Sequence, residues 1–135
     1  KARSQEREDF LIDKMQSQVN ADARLVHRGR WVNVTFLLGI GNDDYLISIV
    51  AGKITAIRRR HLATDTGEFS IRASAKSWAK HWQAVPPRDY HDIFAMLPKQ
   101  IAKIDGRLEP LMQNLQYFKD IIAKMRTEEG DTNDH

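Results

Sequence analysis

The sequence predicts an α+β fold with a five-stranded, mainly antiparallel sheet and with helices before and after it. Residues 31–73 contain short runs rich in β-branched and aromatic side chains, divided by glycine-containing turns, which is typical of strands. The segments before and after this region carry apolar residues at steps of three and four, the spacing of one helix face. The order helix, sheet, helices favours a layered α+β arrangement.

Composition bounds the class of protein. The chain has 135 residues, of which 41% are apolar and 29% are charged, and this suits a soluble globular domain with one core. We therefore expect a single domain over residues 1–135, with the polar segments 1–5 and 127–135 loose. Because the chain begins at Lys1 and not at Met, it can be a fragment of a longer protein.

Several classes of protein are disfavoured. The absence of cysteine excludes disulfides, thiolate metal sites and cysteine nucleophiles. No apolar run approaches the roughly 20 residues of a transmembrane helix, and no signal peptide is recognisable. We therefore expect a cytoplasmic protein with no transmembrane segment. A net charge of +3 is weak evidence for a nucleic-acid partner, and we predict none.

The elements before the main strands are predicted from apolar spacing. A stripe that includes Phe10, Met15 and Val19 predicts a helix over 5–19, and the polar residues 20–22 end it. A short strand is then expected over 24–27.

Four further strands complete the predicted sheet. Alternation places Val34 and Phe36 on one face of the first of them. The tight connection Gly52-Lys53 has glycine first, which suits a type II′ hairpin turn. The strands are expected over 31–38, 45–50, 54–59 and 69–73, with a turn over 39–43.

The remaining chain is predicted to be helical. Ser74 is a candidate N-cap for a helix that carries Trp78 and Trp82 on one face, and Val85-Pro86-Pro87 stops it. Asp89 can cap a second short helix with Ile93, Phe94 and Leu97 facing inward. A connector over 99–104, which can be extended, then leads to a long helix within 103–126, with Pro110 in its first turn, where the missing N–H is tolerated.

Candidate catalytic residues are few. Asp92 with His91 or His81 could act as an acid-base pair, which defines an alternative: a small α+β enzyme acting on an apolar substrate. The histidines show none of the usual metal-ligand spacings, so ordinary surface or helix-start histidines remain the simpler interpretation. We predict no metal and no cofactor. A third hypothesis is a structural or partner-binding domain with a fully packed core.

The densest basic run is Arg58-Arg59-Arg60-His61. It can be a solvated strand end, or it can meet a phosphate, an acidic lipid surface or a carboxylate head group. Aromatic residues are not interleaved with it, as binding to single-stranded nucleic acid would favour.

The segment MLPKQIAKIDGRLEPLMQNLQYF, residues 96–118, resembles the C-terminal motif of the sterol carrier protein 2 family. In that family a lysine-rich extended piece leads to a glycine and then to a helix rich in Met and Leu. The upstream order of helix, β-meander, strand and a helix of the kind Ser-x-x-x-Trp is also similar. The sequence departs from the pattern at Leu97-Pro98 and in the longer segment 85–94. The matching positions are Lys99, Ile101, Lys103, Ile104, Gly106, Leu108, Leu111, Met112 and Leu115.

The resemblance implies a five-stranded sheet with helices packed on one face, and a lipid-binding domain rather than an enzyme. Family members bind fatty acids, acyl-CoA esters, sterols or phospholipids in an apolar tunnel between the sheet and the helices. By this resemblance the 103–126 segment becomes the wall or lid of the tunnel. A role in lipid transport, a transient membrane contact and a monomer or weak dimer are the corresponding expectations.

The residues expected at the site follow from this arrangement. Arg58 and Arg72 are the candidates for meeting a charged head group at the mouth of the tunnel. The residues expected to contact the apolar ligand are Val34, Phe36, Leu46, Trp78, Trp82, Phe94, Met112, Leu115 and Phe118.

Overall fold

Five strands form one mixed sheet in a computed structural model that describes residues 13–60, 67–83 and 85–125. The strands are β1 (Asn33–Ile40), β2 (Asp43–Val50), β3 (Lys53–Arg59), β4 (Phe69–Ala73) and β5 (Ala102–Gly106). Their spatial order is β3-β2-β1-β4-β5. Three pairings are antiparallel and the β1–β4 pairing is parallel, so the predicted α+β class is confirmed with a sheet that is mixed.

The helices lie before, between and after the strands. Residues 13–21 are helical (α1), and they include the end of the helix predicted over 5–19, whose residues 5–12 lie outside the described part of the chain. The predicted loose segments 1–5 and 127–135 also lie outside it. The other helices are α2 (Ala23–Arg28), α3 (Ala75–His81), α4 (Glu109–Gln113) and α5 (Leu115–Ala123).

The strand predicted over 24–27 is wrong, because this segment is helix α2. The Asp22 carboxylate accepts a hydrogen bond from the Leu25 N–H at 3.1 Å and so caps the first turn. Leu25 is fully buried, whereas Arg24 and His27 are exposed, and this is the burial of a one-sided helix. The fifth strand comes instead from 102–106, which pairs antiparallel with β4.

Two turns differ from their predictions. The β2–β3 turn consists of Ala51 and Gly52, whose φ angles are 52° and 82°. Positive φ at both central residues is the mark of a type I′ turn rather than the predicted type II′ turn. The turn predicted over 39–43 is shorter, because β1 continues to Ile40 and β2 already begins at Asp43.

The long C-terminal helix is divided. Extended backbone continues to Gly106, which has a φ of 96°, and α4 begins only at Glu109 with Pro110 in its first turn, as predicted. Asn114 then leaves helical geometry at φ −129° and ψ 38°, which separates α4 from α5. Pairing with β4 gives the backbone of 102–106 hydrogen-bond partners on one side of the strand, and local apolar spacing does not specify this pairing.

The segment between α3 and β5 contains turns rather than the predicted short helix. Ser74 does cap α3, since its hydroxyl accepts from the Ser77 N–H at 3.0 Å, but α3 ends at His81, before the prolines. Asp89 has a φ of 74° and does not begin a helix. Asp92 instead closes a local turn by accepting from the Phe94 N–H at 2.8 Å.

Candidate functional site

Three phenylalanine rings lie at the centre of the layer between sheet and helices. Phe36 of β1 stacks on Phe69 of β4 with ring centroids 5.2 Å apart, and Phe118 of α5 meets both rings edge-on. All three side chains are fully buried. These distances are those of packed aromatic pairs, so the described residues show filled space here rather than an open tunnel.

Two tryptophans connect α3 to the layers on either side of it. Their rings stack with centroids 5.2 Å apart. Trp78 Nε1 donates to the Gly39 carbonyl oxygen of β1 at 2.8 Å, and Trp82 Nε1 donates to the Ile122 carbonyl oxygen of α5 at 3.0 Å. Each indole therefore has an apolar ring in the core and a satisfied polar atom, which fixes α3 between sheet and terminal helix.

The structure gathers most of the predicted ligand-contacting residues on the helix-covered face of the sheet. Phe94 and Leu115 are partly buried and pack against the core, and Met112 is 55% exposed on α4. The buried members of this group are Val34, Phe36, Trp78, Trp82 and Phe118.

Leu46 is separated from that group. It pairs across the sheet with Leu37, while its neighbour Ile47 pairs with Phe36. Directly paired residues share a face and successive residues alternate, so Leu46 lies on the opposite face from Phe36. Leu46, which is fully buried, therefore does not share a face with Val34 and Phe36, and its role as a ligand contact stays a prediction.

Both predicted head-group arginines lie on that opposite face. Arg58 is the cross-strand partner of Leu46 and is exposed. Arg72 forms an ion pair with Asp44, with Nη1 and Oδ1 2.7 Å apart, and Asp44 also pairs with Arg60 at 2.9 Å. The sheet thus stands between these side chains and the helix-covered core.

The candidate acid-base residues are held in structural contacts. His81 is buried, and its Nδ1 lies 2.6 Å from the Tyr90 carbonyl oxygen, while His91 is exposed. Burial raises the pKa of Asp92, but hydrogen bonds from Lys119 and from the Phe94 N–H outweigh it and lower the pKa overall. A carboxylate held ionised in this way is poorly matched to proton donation near neutral pH.

A charged cleft of about 300 Å³ lies between α2 and α5. Leu25 lines it together with two ion pairs: Arg28 with Asp120 at 2.7 Å and Lys124 with Asp22 at 2.6 Å. Sequence reasoning missed this cleft, because its residues come from segments almost 100 positions apart in a chain without any motif that links them. Their charges already neutralise one another in pairs.

Neither a metal centre nor a membrane-spanning helix is found in residues 13–60, 67–83 and 85–125. No group of three or more His, Asp or Glu side chains in these ranges could hold a metal ion. None of the helices in the same ranges is both long and apolar enough to cross a bilayer.

Comparison with known proteins relates this chain to others by structure and not by sequence. No family model matches the sequence, and no curated protein matches it. A crystal structure of sterol carrier protein 2 superposes with a TM-score of 0.69 at 9% identity, covering 87% of this chain and 95% of that one.

Two further structures are similar over nearly the same length. The apo form of sterol carrier protein 2 from Yarrowia lipolytica has a TM-score of 0.54 at 6% identity, over 87% of this chain and 90% of that chain. UbiJ-SCP2, a ubiquinone synthesis protein, has a TM-score of 0.54 at 13% identity, over 87% and 92%. At identities this low the agreement lies in the fold, and the chain has the fold of sterol carrier protein 2 domains.

Proposed function

We propose that this domain binds an apolar or lipid-like ligand between the sheet and the C-terminal helices, without catalysing a reaction. Fatty acids, acyl-CoA esters, sterols and phospholipids are the candidate ligands, and lipid transport is the corresponding role. The fold supports a ligand of this class, since the structures it resembles are named for sterol carriage and ubiquinone synthesis. Sterols and ubiquinone are both largely apolar molecules.

One observation carries the proposal: apolar side chains continue from the buried core to the surface along the C-terminal helices. Phe118 is fully buried, Leu115 is partly buried and Met112 is 55% exposed. Leu115 and Phe118 are three residues apart on one face of α5, and Met112 lies on α4, on the other side of the non-helical Asn114. Leu108, before α4, is 41% exposed and extends the apolar surface.

Helix α4 is the element that could open the interior. It has five residues, and Leu111 is its one buried side chain. The N-cap residue of α4 makes no side-chain hydrogen bond, and Asn114 has non-helical dihedral angles, so α4 does not continue into α5. So short a helix has little stability of its own and depends on the burial of Leu111. Displacement of α4 would remove Leu111 from the core and leave the site that its side chain occupied open to the acyl chain of a ligand.

The energetics favour an apolar ligand without a polar anchor. Each methylene moved from water into such an interior contributes about 0.8 kcal/mol, so a long acyl chain can offset the cost of displacing one buried leucine. The head group would stay at the surface near α4. Arg58 and Arg72 lie across the sheet from this opening, so in this geometry neither is needed to hold the head group.

The proposal is tested with purified protein by lipid extraction and mass spectrometry, and by displacement of a fluorescent fatty acid. Met112→Asp puts a charge on the apolar path at an exposed position, so we expect an intact fold and at least tenfold weaker fatty-acid binding, or about 1.4 kcal/mol. Gln113→Asp is the matched control, because it adds the same charge at the next exposed position of α4. Equal binding by both variants, or no bound lipid in the native protein, would contradict the proposal.

A further inference from the structure

Trp31 is the most exposed large apolar side chain among the described residues. It is 80% exposed, whereas Trp78 and Trp82 are 0% and 8% exposed. Val50, which is 52% exposed, lies at the same end of the sheet, because it pairs with Asn33 and the Asn33 side-chain amide donates to the Trp31 carbonyl oxygen at 3.4 Å. Trp31 and Val50 are thus two exposed apolar side chains at the end of the sheet that carries the β2–β3 turn.

The backbone beside these two side chains is firmly held. The Asn33 side-chain oxygen accepts from the Ala51 N–H at 3.0 Å, and the buried Tyr117 hydroxyl donates to the Gly52 carbonyl oxygen at 2.6 Å. Gly52 lies against Val26 and Gly29 so closely that an added Cβ would be 2.4 Å from the Val26 carbonyl oxygen. Trp31 is thus presented to solvent from a rigid support, which reduces the entropy lost when it binds.

The surroundings of Trp31 are basic. The Arg30 guanidinium lies over the Trp31 ring at 5.6 Å, and Lys53 is the cross-strand partner of Val50. The chain has no Asp or Glu from residue 23 to 42 or from residue 45 to 64. On the adjoining surface, Asp120 and Asp22 are paired with Arg28 and Lys124. Within the described ranges, no carboxylate pairs with Arg30 or Lys53.

We propose that Arg30, Trp31, Val50 and Lys53, which we name the Trp31 surface, dock this domain on an anionic lipid bilayer. Tryptophan suits the boundary between head groups and acyl chains, because its ring is apolar and its N–H can stay hydrated. Lysine and arginine beside it are attracted to acidic head groups. The inference rests on the proposed function only in that a lipid carrier must meet membranes; the residues that carry it are separate from the interior and from α4.

With one aromatic anchor and two cations, the contact is weak and reversible, as suits a carrier that must leave again. Loss of one basic residue should reduce binding about fivefold, and added salt should weaken binding further. Vesicles of phosphatidylcholine alone should bind much less protein than vesicles that also contain phosphatidylserine.

The test is co-sedimentation of the full chain with these two kinds of vesicle. Trp31→Ala and the double variant Arg30→Gln with Lys53→Gln should each lose most of the binding to phosphatidylserine vesicles. Val85→Ala and Lys103→Gln are the matched controls, since Val85 is 75% exposed in the segment between α3 and β5, and Lys103 is exposed on the far edge strand. Both controls should bind as the native protein does.

Tryptophan fluorescence gives a second measurement. Because Trp78 and Trp82 are already buried, a blue shift on adding vesicles reports Trp31, and Trp31→Ala should abolish it. No binding by the native protein, or equal binding by Trp31→Ala, would overturn the proposal. A Trp31-dependent dimer seen by light scattering without vesicle binding would also overturn it and assign the surface to a second copy.

The interior is assayed on the same samples. Trp31→Ala should keep any co-purified lipid and its fatty-acid affinity, because Trp31 lies outside the core. If vesicle binding depends on Trp31 but no interior ligand is found, the docking surface stands and the proposed function fails. If an interior ligand is found but the protein does not bind vesicles, the proposed function stands and the docking surface fails.

Discussion

Tyr117 shows how one residue joins distant parts of this molecule. Its hydroxyl, on α5, donates to the Gly52 carbonyl oxygen in the β2–β3 turn at 2.6 Å, across 65 positions of sequence. The side chain is 3% exposed, and burial raises the pKa of the phenol from 10.0 to about 12. Desolvation disfavours the phenolate, so the folded state favours the protonated, donating form.

The first prediction is the alkaline behaviour of Tyr117→Phe. Below about pH 10 the native protein should be more stable than the variant by about 1–3 kcal/mol, because in the variant the buried Gly52 carbonyl oxygen has no hydroxyl to accept from. Between about pH 10 and 12 the unfolded chain ionises first, so the native protein loses stability at up to about 1.4 kcal/mol per pH unit. Urea unfolding of both proteins across this range should show their difference shrinking. A difference in stability that stays constant across this pH range would contradict the raised pKa of the Tyr117 phenol.

At the residue scale, period-two alternation correctly put Val34 and Phe36 on one face of β1. The same reasoning could not place Leu46, because the face of one strand relative to another depends on their register. The β1–β2 turn consists of Gly41 and Asn42, with Ile40 paired to Asp43, so Leu46 pairs with Leu37 and lies on the other face.

At the scale of elements, the β2–β3 turn is the feature most tightly constrained by its neighbours. Gly52 and Gly41 both have positive φ, at 82° and 62°. A Cβ at residue 52 would be 2.4 Å from the Val26 carbonyl oxygen, whereas at residue 41 the nearest atom is 3.7 Å away, in Ala75. The two glycines therefore share a backbone requirement and differ in the space around them.

The second prediction uses these two glycines as a matched pair. Gly41→Ala should cost about 1–2 kcal/mol from left-handed backbone strain alone. Gly52→Ala should cost about 1–3 kcal/mol more, because α2 must also move away from the turn. Thermal or urea unfolding of the two variants measures the difference. Equal losses would mean that the close approach to Val26 relaxes without cost.

Elements were predicted correctly where a local signal decides them. The Ser74 cap of α3, the strand Phe69–Ala73 and Pro110 in the first turn of α4 are such cases. Segments 24–27 and 102–106 were not predicted correctly, because each is so short that its apolar spacing fits a helix as well as a strand. A cap at Asp22 and a partner in β4 decide between these alternatives.

For the whole molecule, the proposed function predicts that ligand and stability are linked. A fatty acid that binds the folded state alone should stabilise it by about 2.7 kcal/mol at a free concentration 100 times its Kd. Scanning calorimetry should show a higher Tm with a long-chain fatty acid than with butanoate, whose few methylenes bury little area. Met112→Asp should show a smaller increase than Gln113→Asp. An unchanged Tm with the long chain would favour a fully packed domain.

The sequence by itself determined the α+β class, most strands, the Ser74 cap and an apolar C-terminal segment, because each depends on residues close together along the chain. The family resemblance pointed to the fold that the structural comparisons support. Tertiary structure alone decided the parallel β1–β4 pairing, the division of 103–126 into β5, α4 and α5, the position of Leu46 and the exposure of Trp31. These features depend on which distant segments meet and satisfy each other's backbone groups, and local spacing does not specify those partners.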